Sequence, residues 1–458
     1  MDRRTSLHTI KGLILAALLL IAPGIVLAQN ASSPAAPATA APTAAAAPAQ
    51  PPAAAAPNTI PVGTIITTQN WRQYSDFMPE GMAKLFAGEF SLKVPDSVQM
   101  EIGPTEVHPL PKPYVEATEK YSGQVRVVEL PDGGLNLQGY QAGQPFPNPA
   151  DPHKGWKILA NLWYRYIPYI AVDTRDAGCV VDGSGSVNCK HVTIVRRQMA
   201  YITEPGVPPK TPGSGDKFFS QWLMVTEPEQ SRYTATLTVS YEDLTRPEDA
   251  YIFLPSMRRY QPISTLARCS PNQGTDSTFE EYRAGFDSNM TEVAADFVGA
   301  KKIIALLPTT MPAGQFPADF EMPLGWPKPS WGKWQVRDVN VLNVTKLPSH
   351  AKGYCYGKRT MYIDAANSAP LWEDLYDNQM KLWRLYGLFM HPVEVPNMGI
   401  VDTTGAVVYA FWDVQNNHST FFIDPSEGSP MYVNEQVPKD YLDLSRYTEP
   451  SGLNLIMR

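Results

Sequence analysis

Few residues in this chain are placed to do chemistry. Asp364, Glu373, Asp374 and Asp377 form a cluster of acids. Carboxylates gathered at strand ends could serve as a general acid and base, or bind calcium. The same residues equally suit a plainer role, polarising turns or pairing with Arg258, Arg259, Arg359 and Arg384. Nucleophilic hydrolysis needs a Ser or Cys beside a base, and the seven histidines offer no such pattern. There is no G-x-S-x-G turn, and Ser349-His350 lies in a Pro- and Gly-containing loop without a local carboxylate. H-E-x-x-H, a phosphate-binding glycine loop and a dinucleotide fingerprint are all absent. No catalytic residue, metal ligand or cofactor is therefore assigned, and the chain is read as a non-enzyme.

Cys179, Cys189, Cys269 and Cys355 are an even set. In an exported chain the most economical pairing is Cys179 with Cys189, around a turn at Gly183-Ser184-Gly185, and Cys269 with Cys355. Free or metal-bound thiols are the alternative, but no C-x-x-C pair and no histidine at ligand spacing points to zinc.

Export is read from the first residues. Arg3, Arg4 and Lys11 precede an apolar run from Leu13 to Ala22, and Val26-Leu27-Ala28 offers small residues for cleavage. This is the plan of a secretory signal, with an apolar part short of the roughly 20 residues a membrane span needs. An uncleaved anchor is the competing reading. The formal charge is -7; cleavage after Ala28 removes a net +2 and leaves -9, which gives no general attraction to nucleic acid. Residues 29–58 are dominated by Ala and Pro and read as an extended tail, because recurring proline stops a helix from propagating. The organisation expected is thus a signal over 1–28, a tail over 29–58 and one domain over 59–458.

Within that domain most segments have strand character. Thr234 to Tyr241 alternates strictly, with Ala235, Leu237, Val239 and Tyr241 on one side and Thr and Ser on the other, the period of a half-buried strand. Tyr251-Ile252-Phe253-Leu254 follows, apolar on both faces, until Pro255 removes a backbone donor. Further strands are expected over 192–202, 218–226, 339–346, 359–365, 371–377, 381–390, 407–413 and 420–423. The connections are short and turn-rich, as in an antiparallel meander. Two helical patterns stand out. One runs from Gln69 to Phe86, interrupted by Pro79. The other is an aromatic helix with Trp156, Leu159, Leu162, Trp163 and Tyr166, for which Asp151-Pro152 offers a start. Ser277 with Glu280 has capping-box spacing.

Apolar surface is present in excess. A curved sheet with bulky residues on its concave face, partly covered by helices, would enclose an elongated pocket. The lining residues expected are Trp156, Trp163, Tyr166, Leu237, Val239, Tyr241, Tyr251, Phe253 and Trp383, with the Thr row outward. The alternative is that these side chains fill a large core.

Gly139-Tyr140-x-x-Gly143-x-Pro145-Phe146-Pro147, Asp151-Pro152-x-x-Gly155-Trp156-Lys157 and Tyr251-Ile252-Phe253-Leu254-Pro255-x-x-Arg258-Arg259 resemble the exported bacterial family known as domain of unknown function 1329. Arg359-x-x-Tyr362-Ile363-Asp364 and Asp374-x-Tyr376-Asp377 with Leu382-Trp383-Arg384 extend the likeness. The resemblance implies a mainly β (α+β) fold, a large curved antiparallel sheet or half-barrel of the periplasmic lipoprotein-carrier type with helices packed on it. It also implies a periplasmic place near the outer membrane, with an RND-type transporter and an outer-membrane protein as partners. The function expected is a binding or carrier protein for a lipid-like hydrophobic molecule. The alternatives are a non-enzymatic scaffold or accessory of an export complex, and a lipid- or glycan-modifying enzyme using the carboxylates.

Overall fold

The computed structural model describes residues 59–264, 267–283, 285–310, 315–402, 407–426 and 428–457. The segments read as signal and tail lie outside them. The described residues belong to one compact unit.

Fourteen strands form a single sheet made of two antiparallel meanders. The first runs in chain order from the middle to one edge: β1 (Ile170–Val181), β2 (Val187–Gln198), β3 (Lys217–Glu227), β4 (Ala235–Tyr241), β5 (Asp249–Leu254) and β6 (Arg259–Pro262). The second returns from the opposite edge: β7 (Val293–Ala305), β8 (Gln335–Lys346), β9 (Lys358–Asp364), β10 (Pro370–Tyr376), β11 (Leu382–Met390), β12 (Val407–Asp413) and β13 (His418–Asp424). It closes by pairing β13 with β1, and β14 (Met431–Val433) adds to the other half of β1. Short hairpins and small helices, among them α2 (Lys112–Tyr121), decorate this frame. No described helix is long and apolar enough to cross a membrane.

The consequence of this order is that residues 263–292 must connect the two edges of the sheet. They do so across one face. Asp276 receives the Thr420 hydroxyl of β13 at 2.8 Å, Glu281 pairs with Arg359 of β9 at 2.5 Å, and Arg268 pairs with Glu248 before β5 at 2.6 Å. The opposite face is covered by the described N-terminal segment, by residues 307–310 and 315–334 and by the C-terminal turns. There Trp326 stacks on Trp334 and meets Trp412, and Trp412 stacks on Trp372. Gly387 lies between the last two, where a Cβ would come within 3.0 Å of Trp412 and 3.1 Å of Trp372.

β4 departs from the half-buried strand that its alternation predicts, since all seven residues are buried. Leu237 and Val239 pack with Trp222, Tyr447 and Leu453, beneath α4 (Leu444–Tyr447) and α5 (Pro450–Leu453). The Thr and Ser row does not face outward. Ser240 donates to Glu248 at 3.0 Å, and Thr236 and Thr238 are buried on the same side, beneath the crossing connection. Period-two polarity marks two different buried surfaces here, one apolar and one hydrogen-bonded.

Helix boundaries also shift. Pro79 is the residue before α1 (Glu80–Phe86), one position ahead of the N1 site its rigidity suits. The aromatic helix α3 (Lys154–Trp163) starts after His153 in a left-handed conformation, and Asp151-Pro152 is a cis peptide. Asp151 therefore does not cap it. Thr278 and Glu281, not Ser277 and Glu280, make the capping box, with Thr278 N donating to Glu281 at 2.7 Å.

Candidate functional site

A cavity of about 350 Å³ opens where the β4–β5 turn, the crossing connection and the β8–β9 loop meet. Trp163, Tyr241, Leu244 and Met290 form its apolar wall. Arg268, Glu280, Asp287 and Lys346 form a charged one. Its volume is at the lower end of the range for small-molecule sites.

Arg268 holds the charged wall together. Its Nε donates to Glu280 at 2.8 Å, its Nη1 to Glu248 at 2.6 Å and its Nη2 to the Asp287 carbonyl at 2.7 Å. Burial works to raise Glu280, but Arg268, then Lys346 and Arg359, bring its carboxyl down to about 2. Ser288 and Tyr354 hydroxyls donate to the same carboxylate. Lys346 pairs with Glu292 at 2.7 Å. The Cys269–Cys355 disulfide ties the connection to the β8–β9 loop beside this wall. The Cys179–Cys189 bond joins β1 to β2 at directly opposed positions. Both pairings match those expected.

Asp287 is different from its neighbours. It is 3 % exposed, and neither carboxylate oxygen has a hydrogen-bond partner. Burial, followed by Glu248, holds its carboxyl well above the usual range despite Arg268 and Arg283. A buried acid without donors is costly unless something supplies them. Such a group, beside an apolar wall, can recognise a ligand that carries hydrogen-bond donors on an apolar body.

Of the residues expected to line a groove, the structure brings Trp163 and Tyr241 to this cavity. Trp156 is enclosed near α3's start and donates its indole N–H to Met290 at 3.1 Å. Tyr166 donates to Glu204 at 3.0 Å, away from the cavity. Leu237, Val239, Tyr251 and Phe253 pack under the C-terminal turns. Trp383 donates to Asp413 at 2.8 Å and lies against Tyr356. Between the sheet and the connection remain spaces of about 60 and 50 Å³, room for a few waters. Arg268, Asp287 and Lys346 were not singled out by sequence reasoning, and Glu280 only as a capping residue. Residues 268–292 have no apolar period, and no motif marks a buried acid.

The four clustered carboxylates do not converge. Asp364 pairs with Arg337 at 2.8 Å and accepts the Ala366 and Asn367 N–H groups. Glu373 pairs with Arg359 on the face crossed by the connection. Asp374, its neighbour on β10, points to the opposite face and accepts the Trp372 indole N–H at 2.9 Å. Asp377 closes its own turn by accepting from Gln379 and Lys381. Two other groupings have the spacing of metal ligands, Asp276–Asp413–His418 and Asp173–Asp176–Asp424. In the first, the oxygens are largely engaged: Asp413 accepts from Trp383, Gln415 and Asn416, and Asp276 lies 2.8 Å from His418 Nδ1.

Residues 65–453 match the model of a family described as protein of unknown function (DUF1329). No curated protein matches the chain. Among solved structures, one described as an outer membrane lipoprotein-sorting protein domain from Vibrio parahaemolyticus is similar at 15% identity and a TM-score of 0.44, covering 67% of this chain and 99% of that one. A DUF1329 family protein from Desulfovibrio piger is similar at 13% identity and 0.44, covering 65% and 100%. A LolA superfamily protein from Nitrosomonas europaea is similar at 12% identity and 0.37, covering 63% and 99%.

Proposed function

The chain belongs to the DUF1329 family, and from that premise we propose that it is a periplasmic binding or carrier protein for an amphiphilic, lipid-like molecule. The observation that carries this reading is Asp287, a buried carboxylate without donors that faces Trp163, Leu244 and Met290 across a 350 Å³ cavity. An apolar body would rest on the aromatic wall while a donor-bearing head meets Asp287 and Glu280. The N-terminal signal pattern and two disulfides support an oxidising, extracytoplasmic setting. The reading is of binding without chemical change: Glu248 and Glu280 are engaged by Arg268, and Glu292 by Lys346.

The test is native mass spectrometry and solvent extraction of protein purified from the periplasm, followed by titration with a fluorescent fatty acid and a fluorescent alkylamine. A retained amphiphile, or probe uptake weakened by Leu244→Asp, is the expected result. Protein that is unliganded and takes up neither probe overturns the reading.

A second reading is a non-enzymatic scaffold or accessory of an export complex, with an RND-type transporter and an outer-membrane protein as partners. It is favoured by the burial of β4 on both faces, which leaves no long groove there. Pull-down from periplasm and membranes separates the two: a scaffold retains partners with an unliganded cavity.

A further inference from the structure

Away from the cavity, three buried acids meet where β1 joins β13. Asp173 and Asp176 are three residues apart, a separation that places side chains on opposite faces of a regular strand. Here the β1–β2 register slips between them, and the bulge turns both to one side. Asp424, the last residue of β13, completes the group, and oxygens of all three lie within 4.8 Å of one another. Their exposures are 0 %, 1 % and 3 %.

The positive charge close to them is insufficient. Arg196 of β2 donates to Asp173 and, at 2.6 Å, to Asp424, while its distance to Asp176 is 4.0 Å. One guanidinium thus faces three carboxylates. Lys190 lines the adjoining 50 Å³ space with Asp176 and Asp424, but its ammonium donates to the Gln273 carbonyl at 2.9 Å. Tyr409 faces the group from β12 and brings no positive charge. Both oxygens of Asp176, and Oδ1 of Asp173, have no hydrogen-bond partner. A buried carboxylate in this condition needs a cation or a proton.

We propose that Asp173, Asp176 and Asp424 form a site for one hard divalent cation of the calcium class. The ligands are all carboxylate oxygens, which suit calcium and not zinc or copper. A divalent ion would neutralise the net charge of -2 left after Arg196, and the adjoining space admits water to complete the shell. Without a cation, burial and then the Asp173 charge hold Asp176 well above the usual carboxylate range. Binding would therefore release protons as well as bury the ion.

Isothermal titration of calcium chloride into the full mature chain, freed of metal by chelation, tests this. The expected result is one calcium per chain, with apparent affinity at least ten-fold weaker in Asp176→Asn and unchanged in Asp338→Asn, which alters an exposed acid. Should D176N not fold, D424N carries the same expectation. No binding of calcium or magnesium at millimolar concentration overturns the proposal, as does binding that D176N leaves unchanged. A D176N protein more stable than the parent, whose own melting does not respond to calcium, assigns the cluster a shared proton and overturns it too.

Discussion

The backbone N–H of Gly81 donates to Asp374 Oδ1 at 3.1 Å, joining the first turn of α1 to the middle of β10 across 293 positions of sequence. The same carboxylate receives the Trp372 indole N–H at 2.9 Å. Asp374 is fully buried, and a Cβ on Gly81 would sit 2.2 Å from that oxygen and 2.2 Å from Leu385. The glycine is required because the helix end approaches the sheet so closely.

Gly81→Ala should therefore displace α1 and cost about 1–3 kcal/mol, the usual cost of overpacking a tight contact. Chemical denaturation of the variant checks this. An unchanged midpoint would mean that the N-terminal segment does not depend on this contact.

Arg359 is the counter-ion for two buried acids, at 2.5 Å from Glu281 and 3.3 Å from Glu373, and it donates to the Gly285 carbonyl at 3.0 Å. Replacing it with Met leaves these acids without their guanidinium and should cost about 3–5 kcal/mol. Adding Glu281→Gln and Glu373→Gln to Arg359→Met should recover part of that loss. If the triple variant is no more stable than R359M, charge is not what Arg359 contributes.

The two disulfides should differ in worth. Cys269–Cys355 spans 86 residues and Cys179–Cys189 spans 10. Loop-closure entropy gives about 4–5 kcal/mol for the first and roughly 3 kcal/mol for the second. Paired Cys→Ser variants, compared by denaturant midpoint, check the order. The first pair should also weaken probe uptake, because that bond fixes the cavity's edge.

The strands were largely legible because hydrophobic periodicity survives in them: eight segments expected as strands overlap β2, β3 and β8 to β13. β1 was not among them. Asp173 and Asp176 interrupt its apolar pattern, and they are buried by a bulge and an arginine that no local rule contains. The crossing connection was hidden for a related reason. Glu280, Asp287 and Arg268 look like surface residues in sequence, and only the closure of β13 on β1 forces them beneath a sheet. The outward Thr row failed similarly, since period two separates faces without saying what covers each one.

Glu373 gives the protein a pH response of definite sign. Burial first, opposed by Arg359, pushes its carboxyl up to about 8 from an ordinary value near 4.5. Its Oε1 has no hydrogen-bond partner. A carboxyl whose folded value is raised contributes stability that is complete below its unfolded value and is lost as pH rises through the folded one. The window is thus about 4.5 to 8, with a slope up to ~1.4 kcal/mol per pH unit. Asp374, raised to about 6 chiefly by burial, adds to the lower part, and Asp176 and Asp287, also raised chiefly by burial, add theirs, so the Glu373 contribution is read as a difference from a variant that lacks its charge. Glu373→Gln is neutral at every pH and keeps a similar shape. Its melting temperature should approach or match the parent's near pH 5 and exceed it by a growing margin towards pH 8. Parallel curves across that range would show that Glu373 stays ionised in the folded protein, with Arg359 outweighing burial.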